Sequence, residues 1–128
     1  MNYYISKTVN LPFDKTVEKV TNDLKKYGFG IVTTLDADKV LKEKIGAELK
    51  PYKILGACNP NFAYQAITNE PMIGTLLPCN VLVRYISENQ TEVAAINPIS
   101  MFSLIGKAEF EPIVNHVQTA FEELIELL

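Results

Sequence analysis

Two cysteines have the clearest potential for chemistry in this sequence, Cys58 in "ACNP" and Cys79 in "PCNV". The pair Asn59-Pro60 is typical of a helix start, with the asparagine as N-cap and the proline in the first turn. Cys58 would then precede a helix N-terminus, where the dipole and the unpaired N–H groups favour a thiolate and lower its pKa. One hypothesis is therefore a thiol site in which Cys58 reacts and Cys79 resolves or supports it.

The sequence around Cys79 also allows a structural role for this thiol. If residues 76–86 form a strand, the alternation of side chains places Cys79 on one face with the valines that follow it. Asn80 and Arg84 then lie on the opposite face, which suits a pocket or a surface covered by a partner. Pro78 cannot donate to the ladder, so an edge strand or a bulge is expected there. Because free cysteine is among the most buried residue types, both thiols can instead be core residues.

Other catalytic and metal-binding patterns receive no support from the sequence. The cysteines lie far apart, His116 is the only histidine, and neither C-x-x-C nor H-x-x-x-H spacing occurs. A single histidine also leaves a Ser-His-Asp or Cys-His triad without an argument. Gly28-Phe29-Gly30 lacks the third glycine of a dinucleotide fingerprint. We therefore predict no metal site and no cofactor.

The composition predicts one domain over residues 1–128 with its own hydrophobic core. Hydrophobic residues make up 48% of the 128 residues and charged residues 21%, as in chains that fold throughout. The net charge of -3 argues against a nucleic-acid partner. No apolar run approaches the roughly 18 residues of a membrane span, and "MNYYISKTVN" lacks the apolar core of a signal peptide. We expect no membrane partner and a cytoplasmic protein with reduced thiols.

Hydrophobic periodicity predicts five strands and about four helices. Residues 3–9, 29–35 and 52–58 read as strands, and a hairpin around "SENQ" supplies two more. The strongest helices, at 12–27 and 112–128, carry an apolar residue at every third or fourth position. Shorter helices are expected after Asp36, Asn59 and Asn97. The elements predict an α+β fold of two layers, with helices on one face of a mixed, largely antiparallel sheet. The uncovered face would be free to pair with a second subunit.

Several motifs resemble the family catalogued as domain of unknown function 302. They are "GFG" at 28–30, "GACNP" at 56–60, "EP" at 70–71, "IG" at 73–74, "LLPCNV" at 76–81 and "NP" at 97–98. The resemblance implies a compact α+β domain of the TATA-binding-protein-like fold group, and a homodimer. The resemblance does not by itself imply DNA binding, because fold and function separate readily and this chain is acidic. No activity is established for the family, so no catalytic residue is carried over.

The sequence leaves two functions open. The first is a homodimeric cytoplasmic protein that binds a small ligand or docks a partner without chemistry, with Asn59, Asn80 and Arg84 as candidate ligand-binding residues. A small anion at the helix N-terminus that Asn59 caps would be physically reasonable. The second is a thiol-dependent enzyme or redox sensor that uses Cys58 with Cys79 on a thiol-reactive ligand. Alkylation of each thiol against pH separates the two, because only the second requires a reactive Cys58.

Overall fold

Five strands form one open sheet in the computed structural model, which describes residues 2–128. The strands are β1 (Tyr4–Val9), β2 (Gly30–Asp36), β3 (Tyr52–Cys58), β4 (Cys79–Ser87) and β5 (Gln90–Ile96). Their order in the sheet is β1-β5-β4-β3-β2, and all four pairings are antiparallel. The predicted α+β fold is confirmed, with a sheet that is antiparallel throughout rather than largely so.

Helices follow or connect the strands. The α-helices are α1 (Phe13–Lys25), α2 (Ala37–Ile45), α3 (Pro60–Asn69), α4 (Pro98–Phe102) and α5 (Glu111–Glu126), and 3₁₀ helices span Pro71–Leu76 and Ala108–Phe110. Across residues 2–128, no helix is long and apolar enough to cross a membrane.

Helix α1 forms where the apolar spacing predicts it. Val20 and Leu24 are fully buried one turn apart, and Asp14 in the first turn complements the helix dipole. After the helix, Gly28 has a φ of +83°, a left-handed conformation that glycine adopts without a steric penalty. This turn sends the chain directly into β2.

The core lies between the sheet and a helical layer centred on α5. Val81 and Val83 of β4 are fully buried, and so is Phe121 of α5. The Phe121 ring packs against Phe29 with 5.2 Å between the ring centroids. Burying a side chain of this size contributes roughly 2 to 3 kcal/mol to stability. The predicted apolar stripe of the last helix is confirmed.

The opposite face of the sheet is only partly shielded, and we call it the open face. Along β4, Asn80 is exposed, and Leu82 and Arg84 are half-buried, as the alternation predicts. Arg84 donates from Nε to Oε1 of Glu92 on β5 at 2.6 Å, which compensates its charge. The open-face residues on the neighbouring strands include Ile54, Ala94 and Ile96.

Helix α2 adds exposed apolar surface beside the sheet. It follows β2 directly, contacts β3 and buries none of its residues. Leu41 is 39% exposed and Ile45 is 75% exposed. Large exposed apolar side chains that cluster in this way are typical of surfaces that meet a partner.

The prediction that the strand is an edge or carries a bulge at Pro78 is wrong. Strand β4 begins one residue later, at Cys79, and lies at the centre of the sheet between β3 and β5. Because Pro78 precedes the strand, no ladder hydrogen bond is required of it. The residues before it form the 3₁₀ helix Pro71–Leu76, in which Pro71 holds the first position and needs no donor.

The predicted helix after Asp36 is present, but Asp36 makes no side-chain cap. Its carboxylate instead forms an ion pair with Lys53 of the paired strand, with 3.5 Å between Oδ1 and Nζ. Asp38 also reaches across, accepting a hydrogen bond from the Tyr52 N–H at 3.1 Å. Tertiary pairing with β3 therefore takes the place of a local cap.

Candidate functional site

An apolar cavity of about 240 Å³ lies between α3, α5 and the adjoining ends of β3 and β4. Its walls include Ala57 of β3, Phe62 and Ala66 of α3, and Val117 of α5. None of the described side chains that line it carries a charge, and Asn59 supplies the one amide among them. Such a cavity favours an uncharged guest, because a charge inside it would lose its hydration without gaining a partner.

Both cysteines line this cavity. Cys79 stands opposite Ala57 in the β3–β4 ladder, and Cys58 is the residue after Ala57. Cys79 is 7% exposed, whereas Cys58 is half-buried, and neither forms a disulfide. The sequence prediction that Cys79 turns into the core is confirmed. Strand pairing therefore brings together two thiols that are distant in the sequence.

Burial raises the pKa of the Cys79 thiol from 9.0 to about 11, and the nearby Cys58 thiol adds to the rise. Taking a thiolate out of water is unfavourable, and a second negative charge close by makes it more so. Cys79 therefore remains a neutral thiol throughout the neutral pH range. Of the two thiols, Cys58 is the one that solvent and reagents can reach.

Alkaline unfolding provides a check on the Cys79 environment. The pKa of Cys79 is higher in the folded protein than in the unfolded chain. Between about pH 9 and pH 11, the Cys79 thiol therefore keeps its proton in the native state and has lost it in the unfolded state. The contribution of this raised pKa to the free energy of unfolding is thus complete below pH 9 and is lost as the pH rises through 11. We expect the wild type to lose roughly 2 to 3 kcal/mol more stability over this interval than Cys79→Ala. Urea unfolding at stepped pH measures the difference.

Cys58→Ala is the matched control, because Cys58 is half-buried. Its stability should fall with pH nearly as steeply as that of the wild type, because burial, the main cause of the raised Cys79 pKa, remains and only the smaller contribution of Cys58 is lost. If Cys79→Ala also falls in parallel with the wild type, the buried-thiol account is wrong.

Asn59 fixes the start of the helix that covers the cavity. The predicted cap is confirmed: Asn59 Oδ1 accepts a hydrogen bond from the Phe62 N–H at 3.3 Å, and its main-chain oxygen accepts one from Ala63 at 2.9 Å. A Cβ placed on Gly28 would lie 3.0 Å from Asn59 Nδ2. The close approach of the Gly28 backbone therefore helps to hold the capping amide, and with it the first turn of α3.

Contacts near both ends of α3 join it to the rest of the helical layer. The Phe62 ring meets the exposed His116 of α5 edge to face, with 4.9 Å between centroids. Near the other end of the helix, Lys107 Nζ lies 2.8 Å from a Glu70 carboxylate oxygen, and this hydrogen bond lowers the pKa of Glu70. His116, the only histidine in the sequence, is thus an exposed residue that packs on a cavity wall.

The three predicted ligand-binding residues do not share one site. Asn59 lines the apolar cavity, whereas Asn80 and Arg84 line a separate groove of the open face together with Tyr52 and Glu92. Arg84 is the one cation among the described residues of that groove, and Glu92 pairs with it. Sequence reasoning missed the small residues of α3, among them Ala63 and Ala66, whose three-residue spacing places them on one helix face.

The fold does not bring potential metal ligands together among the described residues. Within residues 2–128, no group of three or more His, Cys, Asp or Glu side chains is arranged to hold an ion. The two thiols and one amide of the cavity are therefore the functional groups available to a guest.

Comparison with known proteins identifies a family and a fold. A family model described as domain of unknown function DUF302 matches residues 5–128. No curated protein matches the chain. The crystal structure of an uncharacterised conserved protein DUF302 from Bacillus stearothermophilus is similar, with a TM-score of 0.87 and 21% sequence identity over 98% of each chain. At this identity, the similarity establishes the fold alone.

Proposed function

Since the chain belongs to the DUF302 family, for which no activity is described, we propose from the cavity that it binds a small, uncharged, largely apolar molecule. The observation that carries this proposal is the absence of charge among the described cavity-lining side chains. Ligand sites are typically apolar clefts with a few polar groups that orient the guest. The Asn59 amide and the two thiols fit that role here.

The size of the cavity limits the guest. An apolar protein cavity of about 150 Å³ accommodates benzene. The 240 Å³ available here suits a somewhat larger molecule, such as a ketone or alcohol with a chain of about eight carbon atoms. Val32 and Ile67 line the cavity and are 60% and 49% exposed, so they offer an apolar entrance.

We place this binding protein in the cytoplasm. Cys58 and Cys79 are both free, and unpaired thiols persist in reducing compartments. The proposal also includes a homodimer formed through the open face. In a twofold contact the same surface meets itself, so a face with an excess of one charge would repel its copy and a self-contact favours a face whose charges cancel. The Arg84–Glu92 pair meets this requirement on a face that also carries the apolar residues Leu82, Ile54 and Ala94.

Calorimetric titration with octan-3-one tests the ligand proposal. We expect saturable binding of the neutral ketone and no binding of octanoate, because octanoate carries a charge on a chain of the same length. Ala63→Phe fills space in the cavity wall and should weaken ketone binding by at least roughly tenfold, or about 1.4 kcal/mol. Ala63 is half-buried in α3, where the larger ring can point into the cavity.

Ala108→Phe is the matched control, since Ala108 is exposed in a 3₁₀ helix and does not line this cavity. It should bind the ketone as the wild type does. Equal binding of octanoate and octan-3-one, or an Ala63→Phe variant with unchanged affinity, would overturn the proposal.

A further inference from the structure

The cavity contains nucleophiles as well as hydrocarbon. Among its described lining residues, the thiols of Cys58 and Cys79 are the only groups with nucleophilic character, because the remaining side chains are apolar apart from one amide. The more accessible of the two is Cys58, at the end of β3. An apolar guest in this space therefore lies beside an accessible thiol.

The second thiol is positioned differently. Cys79 is more than nine-tenths buried and lines the same cavity, and its thiol makes no hydrogen bond with the residues that the structure describes. Its S–H is thus an unpaired donor that faces the space of the guest. Because its charged form is disfavoured by burial, it stays protonated. A carbonyl oxygen on the guest would give this donor a partner.

We propose that the natural ligand class of the cavity is a soft, uncharged electrophile, an α,β-unsaturated ketone or aldehyde with an apolar chain, and that Cys58 captures it as a thioether. This inference rests on the proposed ligand site. It assigns the accessible thiol as nucleophile, the hydrocarbon walls as the chain subsite and the Cys79 S–H as the donor to the carbonyl oxygen.

The reaction is an addition that requires no other reactant. The Cys58 sulfur forms a bond to the β-carbon of the guest, and the carbon–carbon π bond breaks to give an enolate. The proton released by Cys58 ends on the α-carbon, so that S–H has added across the double bond. Nothing is oxidised or reduced, and no group leaves. Holding the enone beside the sulfur accelerates this step through proximity.

The lining selects among thiol reagents. A charged electrophile such as acrylate would lose its hydration in a cavity that offers no countercharge. A small polar electrophile such as acrylamide would gain little from the hydrocarbon walls. The selective reagent is therefore uncharged and apolar at the same time, and oct-1-en-3-one has both properties.

Competition between oct-1-en-3-one and acrylamide tests the inference, with peptide mass spectrometry to locate the adducts on the native protein. We expect one adduct, on Cys58, and a preference for the enone over acrylamide that is roughly tenfold or more above the preference of glutathione. Ala63→Phe should return the ratio to that of glutathione, whereas Ala108→Phe should leave it unchanged. Taking a ratio removes any general change in the exposure of Cys58.

The saturated ketone separates this inference from the proposed function. Octan-3-one cannot react, and its binding to Cys58→Ser reports on the cavity alone. If Cys58→Ser binds octan-3-one but the native protein shows no preference for the enone, the electrophile inference is overturned and the ligand site stands. If octan-3-one does not bind, both are overturned. An adduct on Cys79 instead of Cys58 also overturns the assignment of the nucleophile.

Discussion

Replacing Gly56 by alanine should lower the free energy of unfolding by about 3 kcal/mol, because the added methyl group has no space. Gly56 lies in β3 on the open face and is buried beneath neighbouring side chains. A Cβ on Gly56 would overlap Thr33 Oγ1 and would lie 2.6 Å from Pro78 Cγ. The proline ring is stiff and Thr33 belongs to the paired strand, so the backbone must move. Urea unfolding measures the loss.

Two further variants make this prediction specific. A Cβ on Gly74 would meet no atom within 4 Å, so Gly74→Ala should change stability by less than about 1 kcal/mol. Thr33→Ala removes the nearest obstacle and should restore part of the stability of Gly56→Ala, while the Pro78 contact keeps the recovery incomplete. If Gly56→Ala proves as stable as Gly74→Ala, the packing of Pro78 over β3 is not as described.

The second large effect concerns the proposed homodimer. Leu82→Asp places a carboxylate at the centre of the open face, between Ile54 and Ala94 on the neighbouring strands. In a twofold contact through this face, each new charge would be buried without a partner and close to its own copy, a cost of several kcal/mol. We expect the wild type to sediment as a dimer and Leu82→Asp as a folded monomer. Sedimentation equilibrium and circular dichroism together provide the measurement.

Leu104→Asp is the control for the effect of an added charge. Leu104 is 80% exposed and lies in the segment after α4, away from the open face. Its variant should remain dimeric. A monomeric wild type, or a Leu82→Asp variant that stays fully dimeric, would contradict the proposed interface.

Local sequence signals were sufficient for most of the fold. The apolar stripe of α1 and the caps at Asn59 and Asn97 depend only on residues close together in the chain. The three helices that they predict are found at the predicted positions. The face of Cys79 could also be predicted, because strand alternation is strictly local. The start of β4 could not, since residues 76–78 are apolar whether they continue a strand or precede one.

The cavity could not be predicted because it depends on distances between elements. Ala57, Ala63 and Ala66 read in the sequence simply as apolar positions. They leave empty space only because α3 stands where their short side chains do not reach the facing wall of α5. The meeting of Cys58 and Cys79 depends likewise on the register of β3 with β4, which pairs Ala57 with Cys79. A shift of one residue would turn Cys79 to the open face.

The strand order has a consequence for how the chain reaches its native state. Strands β2 to β5 form a meander in which each strand pairs with the next along the chain. Strand β1 is the edge strand beyond β5 and pairs with it. The entropy lost in closing a loop grows with the logarithm of its length, so the contact that sets Tyr4 opposite Ile96 is the least favourable closure in the sheet. During synthesis on the ribosome, β1 is made before β5, the strand that it pairs with. It can therefore join the sheet only after β5 has emerged.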